Sequence, residues 1–193
     1  MKFVYAEGAT PFNQDDADKL IPQHITTQEQ LNEWEQLNIT MAERWLFSQN
    51  RKNIITLDFI VKLHKKMFDK TWKWAGKFRQ HQTNIGVPAY EIITSIKILC
   101  DDTQFWIEHK TFSEKEIAVR FHHRLVQIHP FPNGNGRLSR MMADIILYQM
   151  KKQRLSWGRI SLTDASITRG NYLKSLRQAD KGNYSTLLEF ADS

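Results

Sequence analysis

His129-Pro130-Phe131-Pro132-Asn133-Gly134-Asn135-Gly136-Arg137-Leu138-Ser139-Arg140 is the stretch that decides how this chain is read. Ahead of it, Ile117, Phe121, Leu125 and Ile128 recur at helical spacing, and behind it Met141 to Tyr148 is apolar nearly all round. Two helices therefore flank the stretch, the second one central and buried. Pro130 ends the first helix, because its ring crowds the backbone of the residue before it. What lies between is a glycine-rich loop that opens a helix, which is a place to hold phosphate. Backbone N–H groups around Gly134 and Gly136 meet an anion with no Cβ in the way, and the positive end of the following helix points at the same spot. Arg137 and Arg140, three apart, share a helix face and offer two forks to a polyphosphate. His129 stands a few residues away, free to take a proton from an incoming hydroxyl.

The stretch resembles the signature of the Fic (filamentation induced by cyclic AMP) family, H-x-F-x-[D/E]-G-N-G-R-x-x-R. His129, Phe131, Gly134, Asn135, Gly136, Arg137 and Arg140 match it, and Asn133 departs from it. The resemblance implies an all-α, Fic-like helical bundle with a short β-hairpin flap. It further implies a protein adenylyltransferase that moves AMP from ATP to a Ser, Thr or Tyr hydroxyl of a target protein. In that scheme His129 is the general base, and Gly134, Asn135, Gly136, Arg137 and Arg140 bind the nucleotide phosphates. The residue at 133 helps hold Mg²⁺, and Asn133 offers only a neutral carbonyl oxygen where that cation prefers charged ones.

The flap expectation rests on Trp72-Lys73-Trp74-Ala75-Gly76-Lys77-Phe78-Arg79, which is similar to the aromatic run that leads into the family's flap. Residues 78 to 88 suit a short hairpin, and Asn84, Ile85 and Gly86 at its tip would present an extended target segment by strand addition. Arg169-Gly170-Asn171-Tyr172-Leu173 resembles the family's segment near the adenine site. Tyr172 is read there as a base-stacking platform or a core aromatic. Family members silence themselves with a helix whose glutamate pairs with the second signature arginine. Trp34-Glu35 sits where such an N-terminal residue is expected, so Glu35 is the candidate to restrain Arg140, although Leu31 and Gln36 break the motif and a solvent-exposed glutamate is the plainer reading.

The likeness runs over about residues 56 to 190. Residues 1–55 read as an N-terminal arm and long helix packed on the core, and 56–193 as the core domain. Gly8-Ala9-Thr10-Pro11 and the helix with Leu31-Asn32-Glu33 look like a subgroup called mobile mystery protein B, which implies a helix-turn-helix partner protein. Two other classes stay open: a phosphotransferase resembling Doc toxins, which binds the nucleotide in reverse, and a catalytically weak regulatory or binding module.

At 193 residues the chain suits one domain with a full core. No apolar run is long enough to cross a bilayer, the start lacks a signal-peptide pattern, and the reading is cytoplasmic. A single cysteine, Cys100, excludes an internal disulfide and reads as a buried small hydrophobe. The net charge of +6 suits anionic partners such as nucleotide. Its spread along helix faces argues against a nucleic-acid patch. Thr26 with Glu29 and Ser113 with Glu116 read as capping boxes. His64 reads as a packing histidine, and His122, His123 and His129 lack the Cys or carboxylate partners of a zinc site. Asp144, four residues after Arg140, is placed to pair with it.

Overall fold

The computed structural model describes residues 18–158 and 165–193. Among them are seven α-helices: α1 Gln28–Phe47, α2 Leu57–Phe68, α3 Ile92–His109, α4 Glu114–Ile128, α5 Asn135–Gln149, α6 Ala165–Ala179 and α7 Ser185–Asp192. Residues 1–17, the first part of the expected N-terminal arm, lie outside the described residues, and with them Gly8-Ala9-Thr10-Pro11.

Local chemistry sets most helix starts. Thr27 caps α1: its side chain accepts the Gln30 N–H at 3.2 Å, and the Gln30 side-chain oxygen accepts the Thr27 N–H at 3.2 Å. This is a capping box one residue later than the pair expected at Thr26 and Glu29, because Gln30 serves as well as an acid in the reciprocal bond. Thr56 and Ser113 cap α2 and α4 through the N–H groups of Phe59 and Glu116.

Helices α4 and α5 form the centre. Phe121, Leu125, Leu138, Met142 and Ile146 are all at most 1% exposed, so both helices are apolar where they meet. Helix α1 lies along α2 and reaches α5, while α7 packs against α6 and α4. One apolar cluster runs from Ile25 to Ala191, so α1 shares its core with the segment after residue 56.

The hairpin expectation is corrected. Among the described residues there is no β-strand, only an isolated antiparallel bridge between Leu20 and Trp72. Residues 78–88 form an irregular loop. The reason is visible in its carbonyl groups, which side chains occupy instead of a ladder. Arg79 donates to His81 and Val87, the Thr83 hydroxyl to Ile85, and the Gln82 amide to Gly86. With those acceptors taken, the two halves of the loop have no regular pairing to make.

Asp144 also lands elsewhere than expected. Its buried carboxylate accepts from Arg154, the Leu155 N–H and the Trp157 indole, which pins the chain after α5 back on that helix.

Candidate active site at the start of α5

His129 is the C-cap of α4 and takes the left-handed conformation, φ +50° and ψ +59°. That conformation costs a residue with a Cβ about 1 kcal/mol, and it turns the chain sharply from α4 into the loop. The ring is buried, 7% exposed. Burial, and then the neighbouring Arg79 guanidinium, lower its pKa to about 4, against the opposing effect of a hydrogen bond with the Val126 backbone. At neutral pH the imidazole is therefore uncharged and able to accept a proton.

Behind the loop stands His64, fully buried, its ring stacked on Phe131 at 3.7 Å and 3°. Its Nδ1 accepts the Gly76 N–H at 2.9 Å, so the proton sits on Nε2 and is donated to the Asn133 carbonyl at 3.1 Å. Burial holds this ring neutral, with a pKa of about 3. His64 packs, as its apolar helix face indicates, and it also props the loop, which spacing alone gives no sign of.

The glycines differ in why they are glycine. Gly134 has φ +78°, and a Cβ there would lie 2.4 Å from the Phe68 ring, so both backbone and space exclude a side chain. At Gly136 a Cβ would meet only ordinary contacts, 3.7 Å from the Tyr172 hydroxyl and 3.9 Å from Arg140 Nη1. Its bareness keeps the first turn of α5 low beneath those two groups.

Asn135 was expected to face phosphate and instead turns inward. Its Nδ2 donates to the Phe131 carbonyl at 2.8 Å and its Oδ1 accepts the Phe131 N–H at 3.0 Å, with the residue 2% exposed. It ties the loop to itself.

Arg137 and Arg140 leave the helix toward different neighbours. Arg137 lies over the Phe68 ring and pairs with Glu35, Nη1 to Oε2 at 2.7 Å. The other Glu35 oxygen accepts the Trp72 indole N–H at 2.6 Å. Glu35 thus engages the first signature arginine, where the sequence pattern pointed to the second. Arg140 lies over the Tyr172 ring at 5.5 Å. The Tyr172 hydroxyl bonds with His122 Nε2 at 3.1 Å, and its ring packs on Phe190, so Tyr172 is a wall beside Arg140 as well as a core aromatic.

Mg²⁺, which the family resemblance implies, does not fit the donors that the described residues bring to this loop. The Asn133 Oδ1 accepts the Gly134 N–H at 2.5 Å and lies 3.5 Å from Arg137 Nη2, while the Glu35 carboxylate is engaged by Arg137 and Trp72. Among the described residues no three His, Cys, Asp or Glu side chains gather to hold a metal ion. His123 bonds Asp180 and Tyr184. Cys100 is buried and its thiol pKa is pushed up to about 12, which leaves it unreactive.

Of the loop residues expected to meet a substrate, Asn84 and Ile85 are exposed and Gly86 lies directly against His129. A Cβ on Gly86 would fall 2.8 Å from the His129 Cβ and 2.7 Å from Arg79 Nη2. Arg79, to which the sequence reading gave no role, donates to the His129 carbonyl at 2.6 Å and so belongs to this site. It ends the aromatic-glycine run as a charged side chain directly after Phe78, and that was the available signal.

Residues 54–147 match the Fic/DOC family. An adenylyltransferase of Aedes aegypti named for Fic is 30% identical over 102 residues, covering 51% of this chain and 20% of its own length. A Nematostella vectensis relative of the same name is 26% identical over 140 residues, covering 70% of this chain and 31% of its own length. The chain thus spans under a third of these curated relatives. Among solved structures, Fic-1 (residues 134–508) of C. elegans superposes with a TM-score of 0.70 at 22% identity, covering 92% of this chain and 51% of that one. BepC of Bartonella tribocorum, solved with AMPPNP, superposes with a TM-score of 0.69 at 18% identity, covering 93% of this chain and 97% of that one. These likenesses establish the fold. Among the described residues no helix is long and apolar enough to cross a membrane.

Proposed function

We propose that this chain, whose residues 54–147 match the Fic/DOC family, transfers AMP from ATP to a hydroxyl of a target protein. The observation that carries the reading is a neutral, buried imidazole, His129, at one end of a glycine loop whose other end opens α5 beneath two arginines.

The nucleotide phosphates lie over the N-terminus of α5, against the Gly134 to Arg137 backbone and within reach of the two guanidinium groups. His129 accepts the proton of the attacking hydroxyl. That oxygen bonds to the α-phosphorus, the bond from the α-phosphorus to the bridging oxygen of the β-phosphate breaks, and pyrophosphate leaves with its added charge facing Arg137 and Arg140. Tyr172 borders the same side as Arg140 and suits the nucleoside end. No step is assigned to a metal held by the protein, since Asn133 spends its amide oxygen within the loop; a divalent cation enters as part of the nucleotide.

Glu35 gives the site a resting state in this reading. Paired with Glu35, Arg137 is partly neutralised before ATP arrives, so phosphate must displace a carboxylate. Asn84 and Ile85, exposed and directly ahead of the Gly86 that lies against His129, are the loop residues we assign to contact the target. Membership of the mobile mystery protein B subgroup, and with it a helix-turn-helix partner protein, is proposed from sequence pattern alone.

Incubation with ATP labelled separately at the α and γ positions tests the function. Transfer of the α label to protein is expected; transfer of the γ label instead makes the chain a Doc-like phosphotransferase, and transfer of neither makes it a binding module.

A further inference from the structure

Arg79 is the least expected residue of this region. Its side chain is 3% exposed, and among the described residues its guanidinium meets main-chain carbonyls rather than a carboxylate. Nε donates to the His129 carbonyl at 2.6 Å, Nη1 to the His81 carbonyl at 3.0 Å, and Nη2 to the carbonyls of Val87 and Ile128, the latter at 3.4 Å. Its own N–H donates to the Pro130 carbonyl at 3.0 Å. A buried cation with no counter-ion is costly, and burial lowers even this guanidinium's pKa. Four guanidinium hydrogen bonds to carbonyls, with the backbone one beside them, are what hold it there. They connect two pieces of chain far apart in sequence. His81 and Val87 belong to the loop, and Ile128, His129 and Pro130 are the turn that carries the base.

The turn needs such support. His129 is held at φ +50°, a conformation that other residues seldom keep without outside restraint. Gly86, at φ +108°, closes against the same atoms, and the Val87 N–H adds a bond to the Ile128 carbonyl at 3.4 Å. A planar fork with fixed donor directions can satisfy this set of carbonyls, and an ammonium on a flexible stem cannot.

We propose that Arg79 is the positioning residue for the base: it fastens the loop at residues 80–88 to the strained peptide of His129, so that loop and imidazole keep one relative placement. The assignment rests on the reading of His129 as the general base. A target lying along the loop is thereby brought to a fixed distance from the ring, without any regular strand pairing. The same guanidinium is the charged group that acts on the ring, opposed by the Val126 backbone bond. Arg137 and Arg140 are directed away, to Glu35 and Tyr172.

Two substitutions in the full chain separate charge from geometry. Arg79→Gln removes the cation, while Arg79→Lys keeps it and loses the fork. Titration of the His129 imidazole by NMR, without nucleotide, is expected to move up by about one pH unit in Arg79→Gln and to stay near the unsubstituted value in Arg79→Lys. In α-label transfer, both are expected to lower kcat at least tenfold with the KM for ATP within twofold, since Arg79 lies outside the phosphate cradle. Gly86→Ala keeps the arginine itself but sets a Cβ against Arg79 Nη2, the His129 Cβ and the Ile128 carbonyl oxygen, which pushes the loop off them, and is expected to lower kcat in the same way, so a poorly folding Arg79→Gln does not leave the proposal unread. An unchanged titration together with unchanged kcat in Arg79→Gln overturns it. A shifted titration in a protein whose unsubstituted form transfers no α label upholds the tie between Arg79 and His129 and refutes the adenylylation reading instead.

Discussion

Glu35 and Arg137 are joined across 102 positions of sequence by a 2.7 Å ion pair, and the second oxygen of the same carboxylate receives the Trp72 indole. The carboxylate is nearly buried while a third of the Arg137 side chain is exposed, so the pair is one that an arriving phosphate can exchange. Glu35→Gln keeps an acceptor for Trp72 and removes the charge. It is expected to tighten ATP binding about tenfold, about 1.4 kcal/mol, and to raise self-labelling from α-labelled ATP. Calorimetry and the labelling assay check this, and unchanged affinity dismisses the restraint.

Removing the imidazole tests the base. His129→Asn suits the site better than His129→Ala as a probe of chemistry, because asparagine tolerates the left-handed backbone that His129 adopts. It is expected to bind ATP within twofold of the unsubstituted protein and to lose transfer by about 10²–10⁴-fold. Undiminished labelling in either variant removes His129 from the role.

Gly134 and Gly136 are expected to fail differently. Gly134→Ala sets a Cβ 2.4 Å from the Phe68 ring on a backbone at φ +78° and should cost about 2–3 kcal/mol of stability. Gly136→Ala meets nothing closer than 3.7 Å, so the fold should be spared while ATP binding weakens, because the added methyl stands where phosphate approaches the helix. Thermal melts and nucleotide titration on the two variants distinguish the cases.

Acid should unfold this protein through its histidines. His64 and His129 are held at about 3 and about 4, and His122 is also lowered by burial. All three fold in the neutral form, with pKa values below the unfolded value of about 6.5. Above that value they cost nothing. As the pH falls through it the unfolded chain takes up protons that the folded chain refuses, and each histidine removes about 1.4 kcal/mol per pH unit until its folded pKa is reached. Urea midpoints measured from pH 7.5 down to 4.5 are expected to fall steadily below about pH 6.5.

Metal removal addresses Asn133. Its amide oxygen accepts the Gly134 N–H and sits beside Arg137, so the loop offers a cation little. Nucleotide affinity is expected to change less than threefold when Mg²⁺ is chelated. In Asn133→Asp a charged oxygen returns, and affinity should become metal-dependent by about tenfold. Equal Mg²⁺ dependence in the two proteins shows the substitution to be immaterial.

The helices that border the site, and the chemistry offered there, were legible from residue order. Period and capping residues are local properties, so α4, α5 and the loop between them could be read from Ile117, Ser113, Pro130 and the glycines alone. What those groups touch was set by how the helices pack. Glu35 could be named as a partner for an arginine, but which arginine depends on where α1 crosses α5, and it met Arg137. Asn135 had the chemistry to face phosphate, and the turn of the loop spent its amide on Phe131. The loop at residues 78–88 had strand-like residues, and a buried guanidinium took the carbonyls that a hairpin needs. Hydrogen-bond capacity is written in the residue types; which acceptor comes within 3 Å is settled by packing, and that depends on contacts between segments that no local pattern encodes.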